Sequence, residues 1–198
     1  MEGRFKPSGK APLTSTLSPC GNFRIIPATI GGAKQVLDDL SLVERLERAR
    51  LGITGNEAVY QAVAEERAWT LITSKGPFKT LAIFGVSGAP LEFGQADEAI
   101  PVRYVWFLPT QYLIDTYRRD VADADKVKWV LDFIWSSIPT HIDKQPVVLF
   151  NGVTLANKAV LRWLKRVVGA RISEKVIPAG PAHAPSHPFF LHHEPSYV

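Results

Sequence analysis

The chain has 198 residues, 46% of them apolar and 21% charged; 23 Lys and Arg stand against 19 Asp and Glu, for a formal net charge of +4. That length fits one domain with tails, and the composition supports a buried core and excludes wholesale disorder. So small a positive charge marks a nucleic-acid binder only if it is focused in a patch.

The single cysteine, Cys20, excludes an internal disulfide framework and any multi-cysteine metal site. No apolar run approaches the roughly 18 residues needed to span a bilayer, and the opening MEGRFKPSGKAPLTSTLSPCG lacks the apolar stretch of a secretory signal. A soluble intracellular domain is the expectation.

Residues 1–22 read as an extended basic arm rich in Pro, Ser and Gly, with Arg4, Lys6 and Lys10 outweighing Glu2. Such a segment buries too little surface to offset its ordering entropy and needs a neighbour to hold it. Phe23-Arg24-Ile25-Ile26 reads as a strand ended by Pro27. A helical stretch follows, with Val36, Leu40 and Val43 on one stripe and Leu42, Leu46 and Ala49 beside it, stopped by Gly52. Thr54 and Glu57 have capping-box spacing and open a helix through Val59, Ala62 and Val63.

Trp69 to Thr73 and Phe78 to Val86 read as a hairpin around Ser74-Lys75-Gly76-Pro77, and residues 87–100 as a loop. Val102 to Leu108 is apolar at nearly every position, which suits a central strand buried on both faces. A long helical region starts at Pro109-Thr110, its second half carrying Val127, Val130, Leu131, Ile134, Trp135 and Ile138 at helical spacing until Pro139. Pro146 to Phe150 is a further strand, and Thr154 can cap a helix through Leu155, Leu161, Leu164 and Val168 that ends at Gly169. Arg171 to Ile177 and Phe189 to His192 close the series as strands.

The order β-α-α-β-β-β-α-β-α-β-β resembles the N-acetyltransferase (GNAT) superfamily over residues 23–177. The resemblance rests on FRIIPAT from Phe23, on TLAIFGV from Thr80, and on LFNGVTLANKAVLRWLKRVVGARI from Leu149. More narrowly, TLAIFGV, VWFLPTQ and LRWLKRVVGARI together resemble a GNAT-like virion protein family of short-tailed phages, of the internal virion protein type. The resemblance implies an α+β fold: a mixed, mostly antiparallel central sheet flanked by helices. It divides the chain into the arm 1–22, the GNAT-like domain 23–177 and a Pro/His-rich tail 178–198 with a possible last strand.

The superfamily's chemistry needs a glycine-rich loop after the central strand, whose N–H groups at a helix N-terminus receive the cofactor pyrophosphate. Here VRYVWFL runs into Pro109-Thr110-Gln111-Tyr112-Leu113, with no glycine between Gly94 and Gly152, and proline has no N–H to give. Where many members carry a tyrosine acid four residues before the late glycine, this chain has Lys165, on a helix that reads one residue longer than usual.

The expectation is therefore a non-catalytic structural or assembly protein of a phage virion, made in the host cytoplasm, with neither catalytic residues nor cofactor. It would dock in several copies in a ring onto portal, adaptor, tail or core components through Arg4, Lys6, Lys10 and Tyr197, without membrane. The alternative is an acetyl-CoA-dependent N-acetyltransferase, with Thr110, Gln111, Tyr112, Leu113 and Asn157 at the cofactor. A nucleic-acid or host-protein binding module is a further alternative.

Other residue groups take simpler readings. His183, His187, His192 and His193 offer metal-ligand chemistry, but Pro185 and Pro188 forbid the helix that would converge the first two, which leaves a Pro/His loop. Cys20 lacks a nucleophile signature. Asp120, Asp123 and Asp125 mark a solvated face or a kink between helices. Ser87 lacks the strand-to-helix elbow of a hydrolase and belongs to a hairpin turn. Arg162, Trp163, Lys165 and Arg166 form one basic, aromatic helix turn that could meet a phosphate backbone. Five tryptophans supply core and, in part, interface anchors.

Overall fold

The computed structural model describes residues 16–18, 21–87, 91–93, 100–138, 148–181 and 183–192. The arm residues Arg4, Lys6 and Lys10, together with Cys20, His193 and Tyr197, lie outside the described residues.

Strand β1 (Thr16–Leu17) lies at one edge of the sheet against β2 (Phe23–Pro27). Phe23 and Ile25 of β2 are buried, as period-two burial requires. The single helix expected next is two. Helix α1 (Ile30–Asp38) starts on Thr29, whose side chain accepts from Gly32 N–H, and α2 (Leu42–Arg50) starts afresh on Ser41, whose Oγ accepts from Glu44 N–H at 3.3 Å. Ser41-Leu42-Val43-Glu44 is itself a capping-box sequence, and it breaks the apolar stripe at Asp39–Ser41. Helix α3 (Glu57–Ala64) has Asn56 rather than Thr54 at its N-cap; the Asn56 side chain accepts from Arg48 Nη2 at 2.8 Å.

Strands β3 (Ala68–Thr73) and β4 (Thr80–Val86) form the expected antiparallel pair. The expected loop 87–100 contains a short strand, β5 (Leu91–Phe93), which carries on along the edge of β6 (Ile100–Pro109) beyond the point where β4 leaves it. Helices α4 (Gln111–Val121) and α5 (Ala124–Ser137) meet at Asp123, which caps α5 through Asp125 N–H. Strand β7 (Val148–Thr154) leads to α6 (Lys158–Trp163), capped by Asn157 and not Thr154.

The extra residue of this late helix is absorbed as a π turn, Leu164–Val168, closed by Gly169 in the left-handed region at φ 74°. Strand β8 (Arg171–Ile172) is shorter than expected, and β9 (Ser186–His192) longer.

The sheet order is β1-β2-β3-β4-β6-β7-β9-β8, antiparallel throughout except for β6 and β7, which run parallel. Helices α1 and α3 cover one face, where Ala33, Val36, Val59, Ala62 and Val63 pack on Ala68, Ile83 and Leu108. Helices α4 and α5 and the π turn after α6 cover the other, with Leu113, Ile134 and Leu164 in one cluster with Ile25, Trp69, Leu71, Phe84, Val105 and Leu149.

All five tryptophans join this packing: Trp69 is buried, Trp129, Trp135 and Trp163 lie against its cluster, and Trp106 lies against the opposite one. The Trp106 ring crosses Gly85 so closely that a Cβ there would stand 2.4 Å from it. Among the described residues, no helix is long and apolar enough to cross a membrane.

Candidate active site

The parallel pair β6–β7 is hydrogen-bonded only from Val102 and Val148 to Tyr104 and Phe150. Beyond that point β6 continues to Pro109 on the edge of β4, and β7 continues to Thr154 on the edge of β9. The two strands thus part into a fork that opens at their C-terminal ends. Asn151 Nδ2 closes the crotch by donating to Val105 O at 2.5 Å.

Backbone groups alternate along a strand. Tyr104 O faces β4, where it accepts from Ser87 N–H, so the main-chain groups of Val105, Phe107 and Pro109 face the gap. Val105 O is taken by Asn151 and Pro109 O by Ser41 N–H, and proline has no N–H, so the edge left for an extended, amide-bearing chain to pair with centres on the main chain of Phe107.

Helix α2 lies across the mouth of the fork and is tied to both prongs. At the β6 side, Ser41 N–H donates to Pro109 O at 2.9 Å and Leu42 N–H to Gln111 Oε1 at 2.9 Å. At the β7 side, buried Glu47 accepts from Thr154 N–H at 2.6 Å, Thr154 Oγ1–H at 2.7 Å and Asn157 Nδ2 at 3.2 Å. These are charge-assisted bonds between groups 107 and 110 positions apart in the chain.

Glu44 stands on α2 one turn before Glu47. Its half-buried carboxyl is pushed up to about 7, chiefly by burial and further by the charge of Glu47, with Arg48 opposing. The Tyr104 hydroxyl, at the end of the paired ladder, is also pushed up, by burial and then by the Glu44 charge, against a hydrogen bond from Asn151. The Tyr104 ring meets Phe150 at 6.1 Å, and Phe150 meets Phe190 at 5.3 Å, in a row across three strands.

The residues expected at a cofactor fall on both lips. Thr110, Gln111, Tyr112 and Leu113 open α4 on one, and Asn157 caps α6 on the other. The first N–H groups of α4 already have acceptors within the chain: Gln111 N–H meets Asp39 O at 2.7 Å, Tyr112 N–H meets Asp39 Oδ2 at 3.5 Å, and Leu113 N–H meets Thr110 Oγ1 at 3.1 Å. Thr110 Oγ1 in turn donates to Leu81 O at 2.8 Å. The start of α4 therefore fits a diphosphate only with Asp39 displaced.

Glu44, Glu47, Tyr104 and Asn151 were not singled out from the sequence. The one local signal for them was the Ser41–Glu44 capping box, which fixes where α2 begins and so which way its carboxylates face.

The remaining sequence candidates do not converge on the fork. Lys165 and Arg166 are exposed on the π turn, Arg162 is exposed on α6, and Trp163 packs inward. His187 Nδ1 pairs with Ser173 O at 2.9 Å, and His183 and His192 are exposed. Among the described residues no three His, Cys, Asp or Glu side chains gather as a metal site. Ser87 Oγ accepts from Tyr104 N–H within the sheet.

No family model matches the chain, and no curated protein matches it. Solved structures do. A GCN5-related N-acetyltransferase from Brucella melitensis is 11% identical, with 95% of this chain and 82% of that one covered and a TM-score of 0.55. Arabidopsis thaliana NAA60 in complex with acetyl-CoA is 15% identical over 86% and 98%, at 0.52, and a GNAT-family acetyltransferase from Bacillus anthracis is 11% identical over 86% and 94%, at 0.53.

These neighbours correct the sequence expectation of a non-enzyme: every one of the three is described as an acetyltransferase or solved with acetyl-CoA. None of the three is a virion protein. The residues expected to dock in a virion, Arg4, Lys6, Lys10 and Tyr197, lie outside the described residues. At 10–15% identity the likeness shows the fold, and the chain has the GNAT-like fold: a mixed, mostly antiparallel sheet flanked by helices.

Proposed function

We propose that the protein is an acyl-CoA-dependent N-acetyltransferase that acts at the β6–β7 fork. The observation that carries this reading is the opened parallel ladder beyond Tyr104 and Phe150, with a strand edge facing the gap and a carboxyl poised near neutrality above it. Bound acetyl-CoA would supply the acyl group and depart as a thiol. The chain's own part is proton handling and positioning. A carboxyl near 7 is matched to taking a proton from an amine at neutral pH, so Glu44 is the candidate base. Glu47 holds α2, and hence Glu44, on the β7 prong. Tyr104, kept a neutral phenol, borders the crotch as a hydrogen-bond donor.

The test is calorimetry with acetyl-CoA, joined to thiol release in the presence of a panel of primary amines. The expected outcome is micromolar binding and amine-dependent thiol release that falls at least about tenfold in Glu44→Gln, the loss typical of a missing general base being larger still. No heat and no thiol release with any amine would retire the assignment.

A further inference from the structure

We propose that Asp39 is an internal anion that competes with the cofactor's diphosphate for the start of α4, an autoinhibitory contact built into the joint between α1 and α2. The inference rests on the acyl-CoA reading above. Asp39 brings two acceptors to one helix end: its main-chain carbonyl takes Gln111 N–H at 2.7 Å, and its carboxylate reaches Tyr112 N–H at 3.5 Å.

That helix end is where a phosphate would be attracted, because the helix dipole favours negative charge there and Tyr112 N–H is released once the Asp39 carboxylate turns away. A side-chain carboxylate already in place answers the same attraction and repels a second anion.

The two contacts are unequal in strength. The backbone bond is short and belongs to a dense seam that includes Ser41 N–H to Pro109 O and the isolated bridge between Leu40 and Thr110. The carboxylate bond is at the limit of hydrogen-bond length, and a rotation about the Asp39 side chain breaks it without moving the seam.

Beside it lies a cleft of about 380 Å³ that Asp39 lines together with Lys79, Thr80, Thr110 and Tyr112. The Lys79 ammonium sits 4.2 Å from the centre of the Tyr112 ring on that wall. The cleft is thus large enough for a phosphate group, with a cation on one side and, until it turns away, the Asp39 anion on the other.

The experiment measures acetyl-CoA and S-acetylpantetheine, which lacks the diphosphate, on the full chain and on Asp39→Asn and Asp39→Ala. The Asn variant keeps an acceptor for Tyr112 N–H, so it tests charge in a protein whose fold is preserved. The expected result is acetyl-CoA binding tighter by about two- to tenfold in both variants, with S-acetylpantetheine unchanged. Equal acetyl-CoA affinity in the wild type and in Asp39→Asn would overturn the inference and leave the acyl-CoA reading standing. So would an equal gain for both ligands. Failure of every form to bind either ligand would overturn the acyl-CoA reading, and the inference with it.

Discussion

Two positions show how much single residues decide here. Gly85 faces Trp106 across the β4–β6 pair, and a Cβ placed on it would lie 2.4 Å from the indole and 2.7 Å from the Arg67 carbonyl oxygen. Neither neighbour is the loose end of a flexible chain, so Gly85→Ala should lower stability by about 1–3 kcal/mol, the usual cost of overpacking, read from the midpoint of denaturant unfolding. An unchanged midpoint would mean that the ring turns aside.

Glu44 is the second. Its carboxyl is raised from the ordinary 4.5 to about 7, so the folded chain keeps a proton that the unfolded chain gives up. Below 4.5 both states are protonated and the group is neutral to stability. Between 4.5 and about 7 stability falls as pH rises, and above that the loss is complete. Unfolding of the wild type should therefore show a descending limb across that window that Glu44→Gln lacks. Parallel profiles for the two proteins would place the carboxyl in ordinary surroundings.

At the scale of elements, α2 matters most. It binds one prong of the fork by its first turn and the other by Glu47. Thr154 is buried, and removing its acceptor leaves both its N–H and its hydroxyl without that partner. Glu47→Ala should cost about 1–3 kcal/mol per stranded group, whereas Glu47→Gln keeps an acceptor oxygen and should lose less. Thermal unfolding of the pair checks the order, and equal losses would show that α2 is held by its first turn alone.

Element boundaries were also where sequence reading met its limits. The apolar stripe Val36–Leu40–Val43 passes through Asp39–Ser41 without a break in period, although Ser41 and Glu44 spell a new cap. Thr54 and Thr154 carry capping chemistry, yet Asn157 caps α6 with its side chain and Asn56 holds the N-cap position of α3 with its side chain turned to Arg48. Thr154 instead ends β7, where its hydroxyl is bonded to Glu47. Local pattern identifies candidates for a cap, and tertiary contact chooses among them.

For the whole molecule, the element order made the fold legible, because buried runs such as VRYVWFL and the late helix with its glycine exit have few ways to pack. The absence of glycine after the central strand was legible too; that the first N–H groups of α4 meet acceptors from Asp39 and Thr110 was not. Nor was the fork. It depends on which edges of β6 and β7 find other partners, and on a carboxylate meeting a threonine 107 positions away. Such pairings leave no trace in composition or period. That is why an argument from one missing loop pointed away from an enzyme, while structures that share this fold are described as acetyltransferases.

The row of rings Tyr104–Phe150–Phe190 sits where the parallel ladder ends. Rings packed edge-on and tilted across three strands resist shear, so widening at the open end is expected to pivot about this row rather than run down the sheet. It works as the pin of a pair of tongs: the tips can spread to admit a slender guest, while the handles, paired along Val102–Tyr104 of β6 and Val148–Phe150 of β7, keep their spacing.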